Sequence, residues 1–430
     1  MSHVAFVPLV GFRIKEEEMA AWGMSLPGFQ SRAAAIAELP ALGLLTLGGL
    51  TPESWTCSYH PTAICDEGVI QQIVSSNPTL VAVSALTASV DEAYHLCDKL
   101  RELGISTVMG GLHVTASVDE ALNHCDSVVV GSAERVWPDV LHDSAQQQLQ
   151  SRYLAGHSDV EWAAPRLDLM NRLPSRFTLQ TQRGCPLACE FCGASRLLGG
   201  YREKPLQLIR DELQAIKRLA HRPFVELADD NTFVGGTARR EQLLDLFEQE
   251  DVRWFTESDW RIGEDPQLLQ QLAQSGCRQI LVGIESLVFR YPGQGNKQSQ
   301  LDRIMAAIDA IQDAGVVVNG CFIVGADGET SKSMDRLGDF IVDSDLGDVQ
   351  LTVQTPFPGT GLRRRLHQQG RLLPARGNPF YTLFDVVYQP DQMTVEELEL
   401  RFRELLARVY SAGEAERRSR IRHRIWRSRR

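Results

Sequence analysis

Three cysteines within eight residues constrain this chain more than any other feature. Cys185, Cys189 and Cys192 lie in the segment RGCPLACEFC, separated by three and then two residues. Thiolates hold iron–sulfur clusters, and a cubic [4Fe–4S] cluster usually takes four of them. The loop therefore predicts a cluster in which one iron keeps an open position for a substrate or cofactor.

A structural zinc site is the main alternative for such a loop. Tetrahedral zinc needs a fourth ligand, which often comes from a second Cys or His pair at similar spacing. No second pair of this kind follows, and Cys277 and Cys321 stand alone in the sequence. The sequence therefore favours the cluster, and Cys277 and Cys321 are interpreted as core thiols.

Length and composition indicate a globular protein of two to three domains. The chain has 430 residues, 43% hydrophobic and 23% charged, and its net charge of −11 does not favour nucleic acid. No apolar run of about 18 residues predicts a membrane span. Nine cysteines without a secretory leader favour a reducing cytoplasm. There, four of the cysteines are expected to be plain buried thiols: Cys57, Cys65, Cys97 and Cys125.

Strand and helix patterns alternate in the first 155 residues. The predicted strands are 4–9, 80–84, 106–109 and 127–130, and the predicted helices are 90–103 and 118–124. This alternation predicts an α/β, doubly wound parallel sheet. Ligands of such sheets bind beyond the carboxyl ends of the strands, where glycine allows close approach. Those ends are the segments 84–87, 110–113 and 131–134.

A second series of strands and helices follows a poorly periodic segment. The predicted strands are 176–182, 224–228, 253–256, 279–283, 316–324 and 348–354, and helical patterns separate them. The cysteine loop follows the first of these strands directly. Barrels of alternating strands and helices keep their chemistry at this end of the strands. Carboxylates at the ends of several later strands indicate one shared polar site.

The loop from Arg183 to Cys192 resembles the CxxxCxΦC motif of the radical SAM superfamily, with Phe191 as the aromatic residue. The region before it resembles the cobalamin-binding domain of B12-type members. The segment after residue 360 resembles the C-terminal extension of hopanoid-processing members. The resemblance implies a doubly wound, Rossmann- or flavodoxin-like cobalamin domain, a partial (β/α)6 barrel and a small α-rich extension. Their predicted bounds are 1–155, 176–360 and 361–416, with a linker at 156–175 and an Arg-rich tail at 417–430.

The resemblance also assigns candidate residues to three cofactors. The candidate catalytic and metal-binding residues, which would hold the [4Fe–4S] cluster, are Cys185, Cys189 and Cys192. The candidates for S-adenosylmethionine (SAM) are Phe191, Asp229, Asp230, Asn231, Glu257, Glu285, Ser286, Ile323 and Gly325. The candidates for cobalamin are Ser84, Thr87, Gly110, Gly111, Gly131 and Glu134.

Two features depart from the family patterns. Methionine-synthase-type domains carry an Asp-x-His-x-x-Gly loop whose histidine ligates cobalt. This sequence lacks that loop, and His113 lies in the different segment GGLHVT. His113 is therefore expected to be a loop or pocket residue and not a metal ligand. In the family's adenine-contacting GxIxGxxE strand, Cys321 replaces the first glycine and Gly328 the glutamate, with Glu329 one position later.

The implied activity is that of a radical SAM enzyme. Such an enzyme cleaves SAM reductively to a 5′-deoxyadenosyl radical. With cobalamin, it would methylate an unactivated carbon of a small molecule or natural product. The alternatives are radical cyclisation or rearrangement without methyl transfer, and a non-catalytic cobalamin and cluster sensor. The expected partners are a small-molecule substrate and a flavodoxin- or ferredoxin-type electron donor, with no nucleic acid.

The C-terminal region has weaker patterns. The segment 362–370 predicts a short helix, 380–388 a strand, and 394–410 an amphipathic helix that begins at Thr394. The segment 417–430 holds eight arginines and one tryptophan. It predicts a solvated or frayed tail, with attachment to an anionic partner or membrane surface as the alternative.

Overall fold

The computed structural model describes residues 1–10, 14–30, 33, 38–156, 161–193, 197–297 and 300–427. It contains two six-stranded parallel sheets, one on each side of the segment predicted as a linker. This confirms the predicted α/β class. In the described part of the chain, no helix is both long and apolar enough to cross a membrane.

The first sheet is parallel throughout. Its strands are β1 (Ser2–Pro8), β2 (Trp55–Tyr59), β3 (Leu80–Ser84), β4 (Thr107–Gly110), β5 (Ser127–Val130) and β6 (Arg152–Leu154). Their order is β2-β1-β3-β4-β5-β6, which is a doubly wound arrangement. The helices of this region are Leu42–Leu50, Glu67–Ser75, Val90–Glu102, Leu112–Ala116, Val118–Ala121 and Trp137–Ala145. Central strands such as β3 are almost wholly buried and apolar because helices cover both faces.

The sequence pattern does not predict β2 and β6. These two strands lie at the opposite edges of the sheet. Each has one buried residue, Tyr59 in β2 and Tyr153 in β6, and the first and last residues of β6 are exposed. Edge strands bury less side-chain area than central strands, so their apolar signal in the sequence is weaker.

The second region is a series of parallel strands with one short antiparallel pair inserted after the first of them. In chain order they are β7 (Phe177–Leu179), the antiparallel hairpin of β8 (Gln182–Arg183) and β9 (Arg202–Glu203), and then β10 (Phe224–Leu227), β11 (Arg253–Ser258), β12 (Cys277–Glu285), β13 (Val317–Val324) and β14 (Asp348–Val353). The parallel sheet has the order β14-β13-β12-β11-β10-β7, so its neighbours follow the chain. The helices between these strands are Leu206–Leu219, Thr237–Glu250, Pro266–Gln274, Leu301–Asp313 and Ser331–Asp343. This confirms the predicted (β/α)6 partial barrel.

The C-terminal extension is mostly helical, with helices at Gly361–Gln368, Val395–Val409 and Ala412–Arg427. The predicted strand at 380–388 is wrong. Asn378–Phe380 forms a short 3-10 helix, and Tyr388 makes an isolated β-bridge with Leu372. Leu383 has a φ of +75°, a turn conformation that interrupts extended structure.

The predicted solvated tail is also wrong for residues 417–427, which belong to the last helix. Ile421 and Ile425 are buried against Val317 at the start of β13. Arg417 and Arg422 donate hydrogen bonds to the carbonyl oxygens of Ser344 and Gly347, all at 3.0 Å. Residues 428–430 lie outside the described residues. The arginines therefore fix the helix to the barrel, which composition alone cannot indicate.

Part of the predicted first domain packs elsewhere. Phe29 lies edge-on to the rings of Phe384 and Tyr410, at centroid distances of 5.4 and 5.7 Å. Glu16, which caps the helix Glu17–Gly23, forms an ion pair of 2.7 Å with Arg403. Residues 14–30 are thus held by the barrel's C-terminal extension. The bounds 1–155 stay a prediction, and these contacts join residues 14–30 of that unit to a segment far away in the sequence.

Candidate functional site

The cysteine loop lies between β8 and β9, at the carboxyl end of the barrel strands. Gly184 begins the loop with a φ of +75°, and a Cβ there would lie 2.9 Å from the carbonyl oxygens of Gly199 and Gly200. Backbone hydrogen bonds from Ala188 and Glu190 to the segment Pro292–Gly293 hold the middle of the loop, at 3.1 and 2.9 Å. Glycine is required at this turn because both conformation and space exclude a side chain.

The three cysteines line one cavity of about 380 Å³. Cys189 is buried, whereas Cys185 and Cys192 are half-buried. Burial raises the pKa of the Cys185 and Cys189 thiols, that of Cys189 to about 11, so metal binding there would release protons. Within the described ranges, no three His, Cys, Asp or Glu side chains could share a single metal ion. Three thiols facing one cavity match the donor set of a cluster, in which separate irons take separate thiolates.

Several predicted SAM residues lie on the same cavity. The predicted residues that line it are Phe191, Asp230, Asn231, Glu257, Glu285 and Ile323. They come from the cysteine loop and from the ends or interior-facing positions of β10 to β13. Burial raises the pKa of Asp230 to about 6, and the neighbouring Asp229 charge acts in the same direction. Phe191 packs edge-on against Tyr291, with ring centroids 4.8 Å apart.

Asp229 is placed differently from its neighbours. Its carboxylate accepts hydrogen bonds from the backbone of Thr181 and Gln182, at 2.8 and 3.1 Å, and from the hydroxyl of Thr232 at 3.0 Å. Burial raises its pKa despite these bonds. Asp229 does not line the cluster cavity. It joins β10 to the strand segment that leads into the cysteine loop.

Glu285 and Ser286 point toward different partners. Glu285 has a φ of +69°, and its Oε1 lies 2.5 Å from the Nζ of Lys297. Ser286 lines a neighbouring cavity, and its hydroxyl accepts from the backbone of Val288 and Phe289 at 3.2 and 3.1 Å. The structure therefore brings Glu285 to the cluster cavity but leaves Ser286 beside it.

Sequence analysis missed Lys297, which also lines the cluster cavity. Burial opposes its charge, but the Glu285 carboxylate outweighs this and raises the pKa of Lys297. Cys321, which was expected to be a core thiol, also lines this cavity. Lys297 follows no strand, so neither periodicity nor strand-end position indicates it.

Gly325 does not line the cavity. Its N–H donates to Glu329 Oε2 at 2.6 Å, and its carbonyl accepts from the hydroxyl of Tyr388 at 2.5 Å. A Cβ at Gly325 would lie 2.3 Å from that hydroxyl. Glu329, which lies one position after the glutamate of the family motif, thus accepts a hydrogen bond from the turn after β13. Burial raises the pKa of Glu329 to about 7.

A second cavity, of about 240 Å³, lies at the carboxyl ends of β3, β4 and β5. The predicted cobalamin residues that line it are Ser84, Gly110, Gly111, Gly131 and Glu134. Gly111 and Gly131 have φ values of +110° and +93°, and a Cβ on Gly131 would lie 2.8 Å from the carbonyl oxygen of Ala155. The barrel side of the cavity is formed by Gln180, Arg183, Leu197 and Leu198. Exposed backbone at the glycine loops fits a large, flat ligand with polar edges.

Thr87 does not line this second cavity. It is buried, and its hydroxyl lies 3.1 Å from His113 Nδ1. The other ring nitrogen of His113 lies 3.2 Å from the hydroxyl of Tyr94 and 3.7 Å from a carboxylate oxygen of Glu120. His113 is thus a buried residue whose two ring nitrogens both have polar partners.

Comparison with known proteins matches both regions of the chain. A family profile described as the radical SAM superfamily matches residues 179–341, and one described as the B12 binding domain matches residues 32–141. The fold and the cysteine cavity thus define a radical SAM enzyme. The chain belongs to the B12-binding radical SAM proteins, whose cofactors are a [4Fe–4S] cluster, SAM and cobalamin. These matches confirm the predicted family, enzyme class and cofactors.

Two relatives have different activities. The chain is 26% identical over 355 residues to the bacteriochlorophyllide d C-8(2)-methyltransferase of Chlorobaculum tepidum, covering 77% of this chain and 76% of the relative. It is 22% identical over 399 residues to the anaerobic magnesium-protoporphyrin IX monomethyl ester cyclase of Rubrivivax gelatinosus, covering 83% and 70%.

A solved structure shares the fold. The cobalamin-dependent SAM radical enzyme OxsB, with aqua-cobalamin and SAM bound, superimposes with a TM-score of 0.69 at 14% identity. The match covers 93% of this chain but only 66% of OxsB. OxsB therefore has regions without a counterpart here.

Proposed function

We propose that the protein is a cobalamin-dependent radical SAM methyltransferase that methylates an unactivated carbon of a small-molecule substrate. The observation that carries the proposal is the pairing of two cavities in one chain, one lined by three cysteines and the other by glycine loops. The name of the Chlorobaculum tepidum relative supports methyl transfer. Bound together, the three cofactors would supply an electron, a hydrogen-abstracting radical and a transferable methyl group.

The chain's own residues would bind and orient these groups. Cys185, Cys189 and Cys192 would hold three irons and leave the fourth open to SAM. The Asp230 carboxylate is an acceptor suited to the ammonium group of SAM, whereas the Asn231 side-chain oxygen already accepts from Ser258 Oγ and the Asp259 N–H, at 3.3 and 3.4 Å. Glu285, fixed by Lys297, is an acceptor suited to the ribose hydroxyls. Apolar side chains on the same cavity, among them Leu281 and Ile323, would exclude water from the reacting atoms.

The first experiment is anaerobic reconstitution with iron, sulfide and hydroxocobalamin, followed by desalting and absorption spectroscopy. The proposal expects corrin bands retained beside a cluster shoulder. Replacement of Cys185, Cys189 or Cys192 by alanine should abolish the cluster and the formation of 5′-deoxyadenosine. Cys57→Ala is the matched control, because Cys57 is a half-buried thiol on β2 that does not line the cluster cavity. Formation of 5′-deoxyadenosine by a cluster-free variant would contradict the mechanism.

The name of the Rubrivivax gelatinosus relative favours a second candidate, radical cyclisation without methyl transfer. Product mass separates the two activities, since methylation adds a CH₂ group and cyclisation does not. Deuterated methyl-SAM is the sharper probe, because a methyltransferase would move the label into the product. An unlabelled product from an enzyme that retains corrin would favour cyclisation or rearrangement.

A further inference from the structure

An ion pair in the glycine-lined cavity holds the residue from which the cysteine loop starts. Arg183 lies two residues before the first cluster cysteine, and Glu134 lies in the loop that follows β5. The Arg183 Nη2 donates to Glu134 Oε1 at 2.7 Å, and Nη1 donates to Ser132 Oγ at 3.2 Å. The two charged side chains are only 12% and 7% exposed. The glycine-lined cavity and the cysteine loop therefore share one buried contact.

The Arg183 side chain is held on its other sides as well. Gln180 Oε1 accepts from its Nη2 at 3.0 Å, and the Trp162 ring lies 5.3 Å from its guanidinium carbon. A planar guanidinium bonded on several edges has one preferred position. A shift of the Ser132–Glu134 loop must therefore move Arg183 or break these bonds. Gly184, which has a positive φ, is the one residue between Arg183 and the first cluster cysteine, Cys185.

We propose that Glu134 is a positioning residue that acts through Arg183, coupling the state of the glycine-lined cavity to the geometry of the cysteine loop. This differs from the prediction that Glu134 contacts cobalamin directly. One of its carboxylate oxygens, Oε1, accepts a buried, charge-assisted hydrogen bond from Arg183. The cobalamin part of the inference rests on the proposed function.

A second ion pair on the same loop provides a matched control. Glu190, between two of the cysteines, receives two hydrogen bonds from Arg365 at 2.9 and 3.2 Å. Arg365 belongs to the C-terminal extension, and neither residue lines the glycine-lined cavity. Glu190→Gln would therefore loosen the cysteine loop without altering its connection to that cavity.

The test uses electron paramagnetic resonance of the reduced, SAM-bound cluster, with and without hydroxocobalamin. In the wild-type protein and in Glu190→Gln, cobalamin should shift the spectrum. Glu134→Gln should retain cobalamin within about twofold of wild type but lose that shift, with a KM for SAM raised roughly tenfold and a smaller change in kcat. Arg183→Gln should have the same effect, and the double variant should be no worse than either single one.

Three results would overturn the inference. In the first, Glu134→Gln loses cobalamin but its cluster spectrum is unchanged. In the second, the effects of the two single variants add up in the double variant. In the third, cobalamin does not shift the cluster spectrum of a corrin-loaded wild type. If the wild type retains no corrin, the proposed function fails instead. Whether Glu134 acts through Arg183 is then decided by the cluster spectra alone: additive effects of the two variants would contradict it. If Glu134→Gln does not fold, Arg183→Lys replaces it. This variant keeps the positive charge but cannot bond Glu134, Ser132 and Gln180 at the same time as the planar guanidinium does.

Discussion

Single residues set the chemistry of the cluster cavity through partners that are distant in sequence. Lys297 and Glu285 form a pair with side chains 12% and 10% exposed, and the backbone of Glu285 has a positive φ. Gly283 leaves room for the pair, since a Cβ there would lie 2.2 Å from Glu285 Oε1. Strand-end position predicts Glu285, but only the tertiary structure brings Lys297 to it.

Removing Lys297 should therefore cost stability as well as SAM binding. Lys297→Met leaves the Glu285 carboxylate buried without a counter-charge, which we expect to lower the free energy of unfolding by about 3 kcal/mol. Glu285→Gln combined with Lys297→Met should recover most of this loss. Urea unfolding of the apoprotein measures both. Arg303→Met, in the exposed pair with Glu264, should change the unfolding midpoint little, and a loss equal to that of Lys297→Met would contradict the argument.

Glu329 should make stability depend on pH. Burial raises its pKa from 4.5 to about 7, so between these values the folded protein keeps a proton that the unfolded chain releases. The contribution of Glu329 to the free energy of unfolding should then fall as the pH rises through this range, by at most about 3 kcal/mol, and change no further above it. Glu329→Gln keeps an acceptor for the Gly325 N–H and should remove this loss. Urea unfolding at pH 5 and 8 tests it, with the exposed Glu53→Gln as control.

At the scale of elements, the last helix shows why composition misleads. Eight arginines in 417–430 indicate a solvated tail, yet Ala412–Arg427 is a helix that lies against the barrel. Arg417 binds the Ser344 carbonyl just beyond the helix Ser331–Asp343, where helix carbonyls lack partners and cations are stabilising. The apolar anchors Ile421 and Ile425 are too few to give a strong periodic signal among so many charges.

The same helix should contribute measurably to stability. Ile425 is 5% exposed and packs against Val317 at the amino-terminal end of the barrel. Ile425→Ala should lower the free energy of unfolding by about 2–4 kcal/mol, through lost burial and the cavity left behind. Chemical denaturation measures the change. Arg420→Ala, at an exposed position on the same helix, should leave it nearly unaltered. Equal midpoints for wild type and Ile425→Ala would show that the helix is detached in solution.

At the scale of the whole molecule, local patterns predict elements well and their assembly poorly. The predicted spans 80–84 and 90–103 agree with the structure to within one residue because apolar period and helix ends are local signals. The expectation that polar residues at the carboxyl ends of barrel strands share one site is likewise met by Asp230 and Glu257, which line one cavity. It fails for Asp229 and Gly325, whose partners Thr181 and Tyr388 come from distant segments. The link between Glu134 and Arg183 is non-local in the same way.

One apolar core crosses the boundary between the two sheets, so the first domain should not be separable at residue 155. Phe177 on β7 and Ile216 on a barrel helix pack in the same cluster as Phe6 and Trp137 of the first sheet. A fragment of residues 1–155 would expose this face, because Leu167, Phe177 and Ile216 would be missing. We expect the fragment to bind a hydrophobic dye and to lack the cooperative thermal transition of the full chain. A monomeric fragment that melts cooperatively without binding dye would show instead that the first sheet is stable without the barrel.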